Sequence, residues 1–282
     1  MRVLFVTYRF PVHTHDAACH TVYRLVRHFS ARHDVYLAGL APSEAWASDR
    51  GLVAPYCRAI GTHVLPRAVS GAQAMLSLAT DRTPLQVAYY RSSGFAALVK
   101  RMVAEHDIDI VYGYHLRSAQ YIAGLAVPRV IALQPAQILH FGRRRRIIKD
   151  PIRRLPYTIE TGRLAGYERD VAARFDRCLL ISETDRAAID PGGTLDNVLF
   201  SPHGVDVEHF TPPPGQASEP RTLIFSGALG MDTNSDAVLY FCREILPLVH
   251  RAAPDARLFI VGKEPPASVR ALASDPRVTV TG

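Results

Sequence analysis

Runs of consecutive apolar residues alternate along this chain with stretches in which apolar residues recur at helical spacing. The first run, Arg2–Thr7, predicts a buried strand. In Asp16–Arg32, the apolar residues Val22, Val26 and Phe29 fall on one side of a helix. The same signals predict further strands at Asp34–Leu40, Ile60–Leu65, Ile108–Tyr112, Pro128–Leu133, Arg177–Ser182 and Val198–Ser201. They predict further helices at Ser93–His106, Leu116–Ala126 and Leu155–Phe175.

This alternation of strands and helices is typical of parallel strands joined by helical crossovers. The strands are apolar almost throughout, as expected for a sheet that helices cover on both faces. Composition then changes at Phe210–Arg221, which is rich in proline, glycine and serine and therefore predicts a linker. A second series follows, with strands at Thr222–Ser226, Arg257–Val261 and Arg277–Thr281 and helices at Asp236–Ala253 and Pro266–Ala273.

The patterns together predict an α/β protein with two Rossmann-like, doubly wound domains. The first domain spans 1–210, the linker 211–221 and the second domain 222–282. The residues after the linker are too few to cover both faces of a sheet. We therefore expect the second domain to be incomplete and the chain to be truncated.

Composition narrows the class of protein. Hydrophobic residues make up 48% of the chain, which excludes a disordered or collagen-like protein. No apolar run reaches the roughly 20 residues needed to cross a bilayer, and the first residues do not resemble a signal peptide, so we expect a cytoplasmic protein. The four cysteines lack paired spacing and are expected to be reduced core thiols. The net charge of +7 favours an anionic partner: a nucleotide, a phospholipid surface or nucleic acid.

The loop after the first strand is a candidate binding segment, because ligands of open α/β sheets bind beyond the carboxyl ends of strands. Its polar residues are Arg9, His13, His15 and Asp16. The loop has no glycine, which excludes a dinucleotide-binding fingerprint. Three interpretations stay open: contacts to a substrate, a solvated loop in which Asp16 caps the next helix, and a metal site that includes His20.

His115 follows the strand predicted at Ile108–Tyr112 and so lies at a second carboxyl end. A histidine there either hydrogen-bonds a substrate hydroxyl or the charge of an intermediate, or serves as a helix-terminal residue with a backbone partner.

The segment Phe141–Arg154 concentrates positive charge around three isoleucines. Its basic residues include Arg143, Arg144, Arg145, Arg146 and Lys149. We weigh three roles: attachment to a membrane surface or to a lipid-phosphate acceptor, a solvated basic loop, and nucleic-acid binding. No aromatic residue interleaves with the basic residues, which disfavours nucleic acid.

The segment Ser226–Asp236 joins a predicted strand to a predicted helix. Gly227 and Gly230 permit close backbone approach, and helix amides near Asn234 suit a pyrophosphate. The alternative is an ordinary turn in which Asn234 or Ser235 caps the helix.

The same segments resemble glycosyltransferase family 4. SPHGVDVEHF, from Ser201, is similar to the family's NGVD turn, and Ser226–Pro266 is similar to the opening of its nucleotide-sugar domain. Tyr167–Ser182 matches the family's helix–strand pattern at Glu168, Asp176 and Ser182. The opening LFVTYRFP and the segment PLQVAYYRS, which starts at Pro84, resemble bacterial sugar transferases associated with exopolysaccharide loci.

The resemblance implies a GT-B fold and a retaining transfer of sugar from a nucleotide diphosphate sugar to a glycan or lipid-linked acceptor. It implies no cofactor and no obligatory metal. From the apolar pattern and the basic segment we expect a cytoplasmic enzyme that can work at the inner membrane face and has no nucleic-acid partner. On this basis we expect His115 to be catalytic and Gly227, Gly230 and Asn234 to bind donor. Acceptor-side contacts are expected from Arg9, His13, His15 and Asp16. Membrane contacts are expected from Arg143, Arg144, Arg145, Arg146 and Lys149.

The chain departs from the family pattern in ways that limit its activity. The first loop lacks the family's paired glycines, and His203 replaces the asparagine of NGVD. The family's paired glutamates would lie beyond Gly282, so we expect weak donor binding and little or no turnover. Two alternatives stay open: another GT-B enzyme, such as a sugar-nucleotide epimerase or a phosphorylase, and a non-catalytic module that docks on membranes or partner proteins.

Overall fold

The computed structural model describes residues 1–14, 16–205, 207–208, 210–211, 215 and 219–282. By its internal contacts the chain divides into two compact units. The first comprises Met1–Gly142 with Leu155–His203, and the second comprises Arg143–Arg154 with Gly204–Gly282. The basic segment thus groups with the second unit, although the domain boundaries predicted from the sequence place it in the first.

The first unit is built on a sheet of seven parallel strands in the order β3-β2-β1-β4-β5-β6-β7. The strands are β1 (Arg2–Thr7), β2 (Asp34–Ala41), β3 (Ala59–Val64), β4 (Ile110–Tyr114), β5 (Arg129–Ala132), β6 (Arg177–Leu180) and β7 (Val198–Phe200). Every strand predicted in this part of the sequence is present. β4 begins and ends two residues later than predicted, so that His115 directly follows it.

In the part of the chain that the structure describes, ten α-helices connect these strands. They are α1 (Ala17–Ser30), α2 (Glu44–Ser48), α3 (Arg67–Thr80), α4 (Leu85–Tyr89), α5 (Ser93–Glu105), α6 (Ala119–Ile122), α7 (Gln137–Ile147), α8 (Pro151–Leu164), α9 (Tyr167–Arg174) and α10 (Glu183–Ile189). A 3₁₀ turn at Leu116–Ser118 precedes α6. Two hydrophobic cores cover the sheet; Leu4 and Val6 belong to one, and Val3 and Phe5 to the other. This alternation along β1 is the period of two that a strand imposes.

The helices predicted at Leu155–Phe175 and Leu116–Ala126 are shorter than predicted, and the basic segment between Phe141 and Arg154 is more helical than expected. The helix predicted at Leu155–Phe175 is broken into α8 and α9, because Gly166 takes a φ of 83° that ends the first and begins the second. The segment Phe141–Arg154, interpreted as a loop, is helical over most of its length, as the end of α7 and the start of α8. The helix predicted at Leu116–Ala126 shrinks to the 3₁₀ turn and α6.

The second unit contains a three-stranded parallel sheet in the order β10-β9-β8. Its elements are β8 (Thr222–Ser226), α11 (Asp232–Tyr240), α12 (Leu246–Ala252), β9 (Arg257–Val261), α13 (Ala267–Arg270) and β10 (Val278–Thr281). A π-helical turn at Phe241–Ile245 joins α11 to α12. Leu229, Val238 and Ile260 centre a separate core. The alternation predicted after the linker is confirmed.

The described part of the chain contains no helix that is both long and apolar enough to cross a membrane.

Candidate functional site

The carboxyl ends of two neighbouring strands bring Tyr8 and His115 together. β1 and β4 pair in parallel with Thr7 opposite Tyr114, so the chain leaves both strands at the same edge of the sheet. The ring centroids of Tyr8 and His115 are 4.9 Å apart. His115 thus lies where the sequence places it, at the edge where open α/β sheets bind ligands.

His115 is buried and its backbone is strained. Its φ of 73° and ψ of 150° lie in a region that residues other than glycine rarely adopt. Burial holds the pKa of the imidazole well below its ordinary value, and the nearby Arg117 and His140 lower it further. Nδ1 accepts a hydrogen bond from the backbone N–H of Arg117 at 3.4 Å, which leaves the proton on Nε2. The ring is therefore a neutral hydrogen-bond donor at neutral pH.

Arg9 and Asp16, predicted as site residues in the first loop, bind each other. Arg9 Nη1 lies 2.9 Å from Asp16 Oδ2. The second carboxylate oxygen of Asp16 accepts hydrogen bonds from the backbone N–H groups of Ala18 and Cys19. Asp16 is therefore the N-cap of α1, as one interpretation of the sequence proposed, and it also neutralises Arg9.

His13, another candidate of this loop, packs against Trp46 of α2. Their ring centroids are 5.3 Å apart, and the indole Nε1 of Trp46 donates to the carbonyl of Phe10. His15, the remaining candidate of the loop, lies outside the described residues. Among the residues that the structure describes, no group of three or more His, Cys, Asp or Glu is placed to hold a metal ion.

Arg117 is a site residue that sequence reasoning missed. Its guanidinium lies 4.6 Å from the ring centroid of Tyr8 and 5.1 Å from that of Tyr90, and its Nε donates to Gln86 Oε1 at 3.2 Å. Tyr121 fixes the backbone of Tyr90, because its hydroxyl donates to the Tyr90 carbonyl. Gln86 and Tyr90 come from the segment PLQVAYYRS, whose family resemblance carries no signal for their contact with Arg117.

A cavity of about 100 Å³ opens beside this cluster, at the carboxyl ends of β1, β2 and β3. We call it the tyrosine pocket. Its lining includes Tyr8, Arg9, Arg67, Ser70, Tyr89 and Tyr90. Burial raises the pKa of Tyr8 to about 12, so its hydroxyl stays protonated. The pocket therefore combines aromatic surface, a phenolic hydroxyl and two arginines.

A larger cavity of about 640 Å³ lies between the end of α3 and α8; of its charged groups, Arg163 and Asp81 are engaged by the chain and Arg82 is exposed. Arg163 Nη1 donates to the carbonyls of Ser77 and Thr83 at 3.0 and 2.8 Å. Asp81 Oδ2 lies 3.2 Å from Arg91 Nη2. Size alone would select this cavity, whereas the arrangement of polar groups favours the tyrosine pocket.

The N-terminus of α7 is closed by carboxylates of the chain itself. Glu168 accepts hydrogen bonds from the backbone N–H groups of Gln137 and Ile138, both at 2.7 Å. Asp185 Oδ1 accepts from the N–H of Ala136 at 3.0 Å. Burial raises the pKa of Glu168 to about 7, against the lowering effect of those hydrogen bonds. These amides are therefore occupied by protein groups.

Of the predicted donor-binding residues, Gly227 and Gly230 lie in the loop between β8 and α11, and Asn234 lies in the first turn of α11, next to Gly227. Asn234 Nδ2 donates to the carbonyl of Ala228 at 3.0 Å and braces the loop. A Cβ on Gly262 would lie 1.7 Å from the carbonyl oxygen of Gly227, so these two strand ends pack backbone against backbone. No side chain caps the first amides of α11 in the described structure, whereas the N–H groups of Gly227 and Asn234 donate to the carbonyls of Val261 and Met231.

The basic segment divides into engaged and exposed residues. Arg144 Nη2 lies 2.9 Å from Asp232 Oδ2, at the start of α11. Arg143, Arg146 and Lys149 are exposed, whereas Arg145 is half-buried. Ile152 is 81% exposed. The exposed residues alone are available to a membrane or another partner.

No family model matches the chain, and no curated protein matches it. Among solved structures, sucrose-phosphate synthase from Thermosynechococcus elongatus aligns with a TM-score of 0.61 and 12% identity, covering 100% of this chain and 70% of that one. UGT71G1 from Medicago truncatula, complexed with UDP-glucose, aligns with a TM-score of 0.49 and 11% identity, covering 100% of this chain and 71% of that one. Of these two, the likeness to the synthase has a TM-score above 0.5. That likeness, together with the strand order, shows that the chain has the GT-B fold, built from Rossmann-like α/β domains.

Proposed function

We propose that this protein is a retaining glycosyltransferase that moves a sugar from a nucleotide diphosphate sugar to a glycan or lipid-linked acceptor. The reaction belongs to exopolysaccharide or other cell-surface glycan synthesis in a bacterial cytoplasm. It requires no cofactor and no metal, so transfer should survive a chelator. The product should keep the anomeric configuration of the donor, which proton NMR of the product measures.

The loop between β8 and α11 is the observation that carries this proposal. Two glycines place backbone at the carboxyl end of a strand, and the following helix offers amides without a side-chain cap. Such amides suit a diphosphate, because the positive end of the helix dipole points at it. The fold supports the same function, since its structural neighbour is named for the synthesis of a sugar phosphate.

The residues at the edge of the first sheet are assigned to the acceptor and to the reacting sugar. The neutral His115 would donate from Nε2 to a sugar hydroxyl or to charge that develops during transfer. Arg9 and Asp16 would act as one ion-paired unit that shapes the first loop, with His13 beside it.

Donor binding can be tested by NMR titration of the 282-residue chain with UDP-glucose and other nucleotide diphosphate sugars. We expect shifts at the amides of Gly227 to Asn234. A Gly230→Ala variant should bind the nucleotide sugar about tenfold more weakly. Its Cβ would lie 2.8 Å from Glu264 Oε2 and would disturb the loop. Gly204→Ala, where a Cβ meets nothing within 4 Å, is the matched control. Shifts that avoid this loop for every nucleotide would contradict the proposal.

We further propose that the exposed part of the basic segment attaches the protein to anionic lipid. Arg143, Arg146 and Lys149 supply charge, and the exposed Ile152 supplies an apolar contact. Sedimentation with vesicles that contain anionic phospholipid should fall when Arg143, Arg146 and Lys149 are changed to serine. The same variant should bind nucleotide sugars normally. Unchanged sedimentation would remove the membrane proposal and leave the donor proposal standing.

A further inference from the structure

The tyrosine pocket contains more positive charge than the chain neutralises. Arg9 is paired with Asp16. Arg67, in contrast, makes no ion pair within the described residues, and neither does Arg117, which stacks on the Tyr8 ring of the pocket. Arg67 is exposed at the pocket, and Arg117 is half-buried next to it. The pocket therefore keeps positive charge that no carboxylate neutralises within the described residues.

The pocket also faces the start of a long helix. Arg67 is the first residue of α3, which has 14 residues, no acidic residue in its first turn and no side-chain cap. Its open amides add to the positive potential of the arginines. Both Arg67 and Ser70, from this first turn, line the pocket.

A buried hydroxyl that lines the pocket lacks a partner within the described residues, and so does a buried amide nitrogen outside the lining, next to Arg117. Ser70 is 1% exposed, and within the described residues its hydroxyl makes no hydrogen bond. Gln86, which accepts from Arg117, has a buried Nε2 with no partner among those residues. Buried polar groups in folded proteins are nearly always hydrogen-bonded. Cations, helix amides and a hydroxyl thus converge on a space that suits a group with several acceptor oxygens.

The size and aromatic lining of the pocket limit what else the ligand carries. A volume of about 100 Å³ is enough for one carboxylate or phosphate group. The rings of Tyr8, Tyr89 and Tyr90 then border the entrance. Aromatic faces of this kind pack against the C–H face of a sugar ring.

We propose that the tyrosine pocket binds the anionic group, a carboxylate or a phosphate, of a sugar acceptor. This rests on the function proposed above and names its acceptor class: an acidic sugar, either a uronic acid or a sugar phosphate. Arg67, Ser70 and the amides of α3 bind the anion, and the tyrosines pack against the ring that carries it.

Calorimetric titration of the 282-residue chain without any nucleotide tests the proposal. The probes are methyl glucuronide, glucose 6-phosphate, inorganic phosphate and the uncharged methyl glucoside. We expect at least one of the two acidic sugars to bind about tenfold or more tightly than methyl glucoside and more tightly than inorganic phosphate. The stronger of the two identifies the acidic group. Equal binding of methyl glucoside, or binding of none of the sugars, overturns the proposal.

Two pairs of variants on α3 localise the binding. Arg67→Gln and Ser70→Ala should each weaken the better acidic sugar about tenfold. Arg82→Gln, an exposed arginine just beyond the other end of α3, is the control for general charge. Ser77→Ala is the control for a buried serine, because its hydroxyl donates to the carbonyl of Ala74. Equal losses in a variant and its control would also overturn the proposal, and circular dichroism checks that each variant is folded.

The outcome is separable from that of the donor titration. Acidic-sugar binding without any nucleotide-sugar binding would preserve the pocket and refute the transferase. Nucleotide-sugar binding with no preference for acidic sugars would refute the proposal for the pocket and leave the proposed transferase standing.

Discussion

At the scale of single residues, the buried carboxylates of this protein serve backbone amides. Glu160 accepts from the N–H groups of Leu85 and Gln86 at the start of α4. Glu168 does the same for α7. α4 contains Gln86, which contacts Arg117, and Tyr89, which lines the tyrosine pocket, and α7 follows β5. These acids fix the positions of elements at the site, and a search for catalytic acids by burial alone would have selected them wrongly.

Glu168 should make the stability of the first unit depend on pH. Its pKa of about 7 in the folded chain lies above the ordinary 4.5, so the folded chain holds an extra proton between those pH values. The stabilisation is complete below pH 4.5 and is lost as the pH rises through about 7. One pKa unit corresponds to about 1.4 kcal/mol, so the loss amounts to about 3 kcal/mol. Urea unfolding at a series of pH values measures it.

Glu168→Gln should flatten this dependence, because an amide does not titrate. The variant should be less stable than the parent near pH 5 by about 1–3 kcal/mol, since one backbone N–H loses a good acceptor. The difference should shrink or reverse near pH 8. Glu105→Gln, at an exposed glutamate, is the control. Parallel curves for parent and Glu168→Gln would show that the carboxyl does not titrate in this range.

His115 should behave as a neutral imidazole at neutral pH. Its lowered pKa means that the folded chain binds fewer protons than the unfolded chain, so acidification below about 6.5 should destabilise the protein through this residue. Nitrogen-15 NMR of labelled histidine should show a protonated Nε2 and an unprotonated Nδ1 down to about pH 6. The urea-unfolded chain provides the reference titration. An imidazolium signal from His115 at pH 7 would contradict the assignment.

At the scale of elements, glycine positions decide where helices end. Gly166 separates α8 from α9 with a φ of 83°, whereas Gly162, four positions earlier, lies within α8. A Cβ on either glycine would meet nothing within 4 Å. The two sites therefore differ in backbone conformation alone, and nothing in the local apolar pattern distinguishes them.

The same substitution should have opposite effects at these two glycines. Gly166→Ala should destabilise the protein by about 1 kcal/mol, because alanine disfavours a positive φ. Gly162→Ala should stabilise it by about 0.5–1 kcal/mol, because alanine is the better helix former. Thermal and urea unfolding of both variants measures the pair. Equal effects of the same sign would show that α8 continues through Gly166.

α3 is the element for which the apolar pattern failed most clearly. Its buried residues are Ser70 and Ser77, whereas Met75 and Leu76 are 67% and 63% exposed. Pattern reading assigns apolar residues to the core, so it finds no coherent buried face in this helix. The helix was missed, and with it the pocket that its first turn lines.

At the scale of the whole molecule, the two units have separate cores. Leu4 and Ile131 belong to one core of the first unit, and Leu229 and Ile260 to the core of the second. Each of these residues is fully buried. A change in one core should therefore act first on the unit that contains it.

Ile260→Ala and Ile131→Ala test this division. Each should cost about 2–5 kcal/mol, because each removes buried methyl groups and leaves a cavity. Hydrogen exchange followed by mass spectrometry should show faster exchange in 219–282 for Ile260→Ala and in the seven-stranded sheet for Ile131→Ala. Faster exchange spread evenly over both units in both variants would show that the chain unfolds as one.

The sequence by itself determined the fold class, the strands of both sheets in the described residues, and the position of the first loop and His115 at the carboxyl edge of the first sheet. These are local properties, because burial on both faces makes a parallel strand continuously apolar and each strand end carries its own loop. Only the tertiary structure decided which side chains meet. Arg117, Tyr8 and Tyr90 come from separate segments, and Arg67 joins them from a helix with an inverted pattern. Contacts between distant segments depend on strand order and packing, which no local period records.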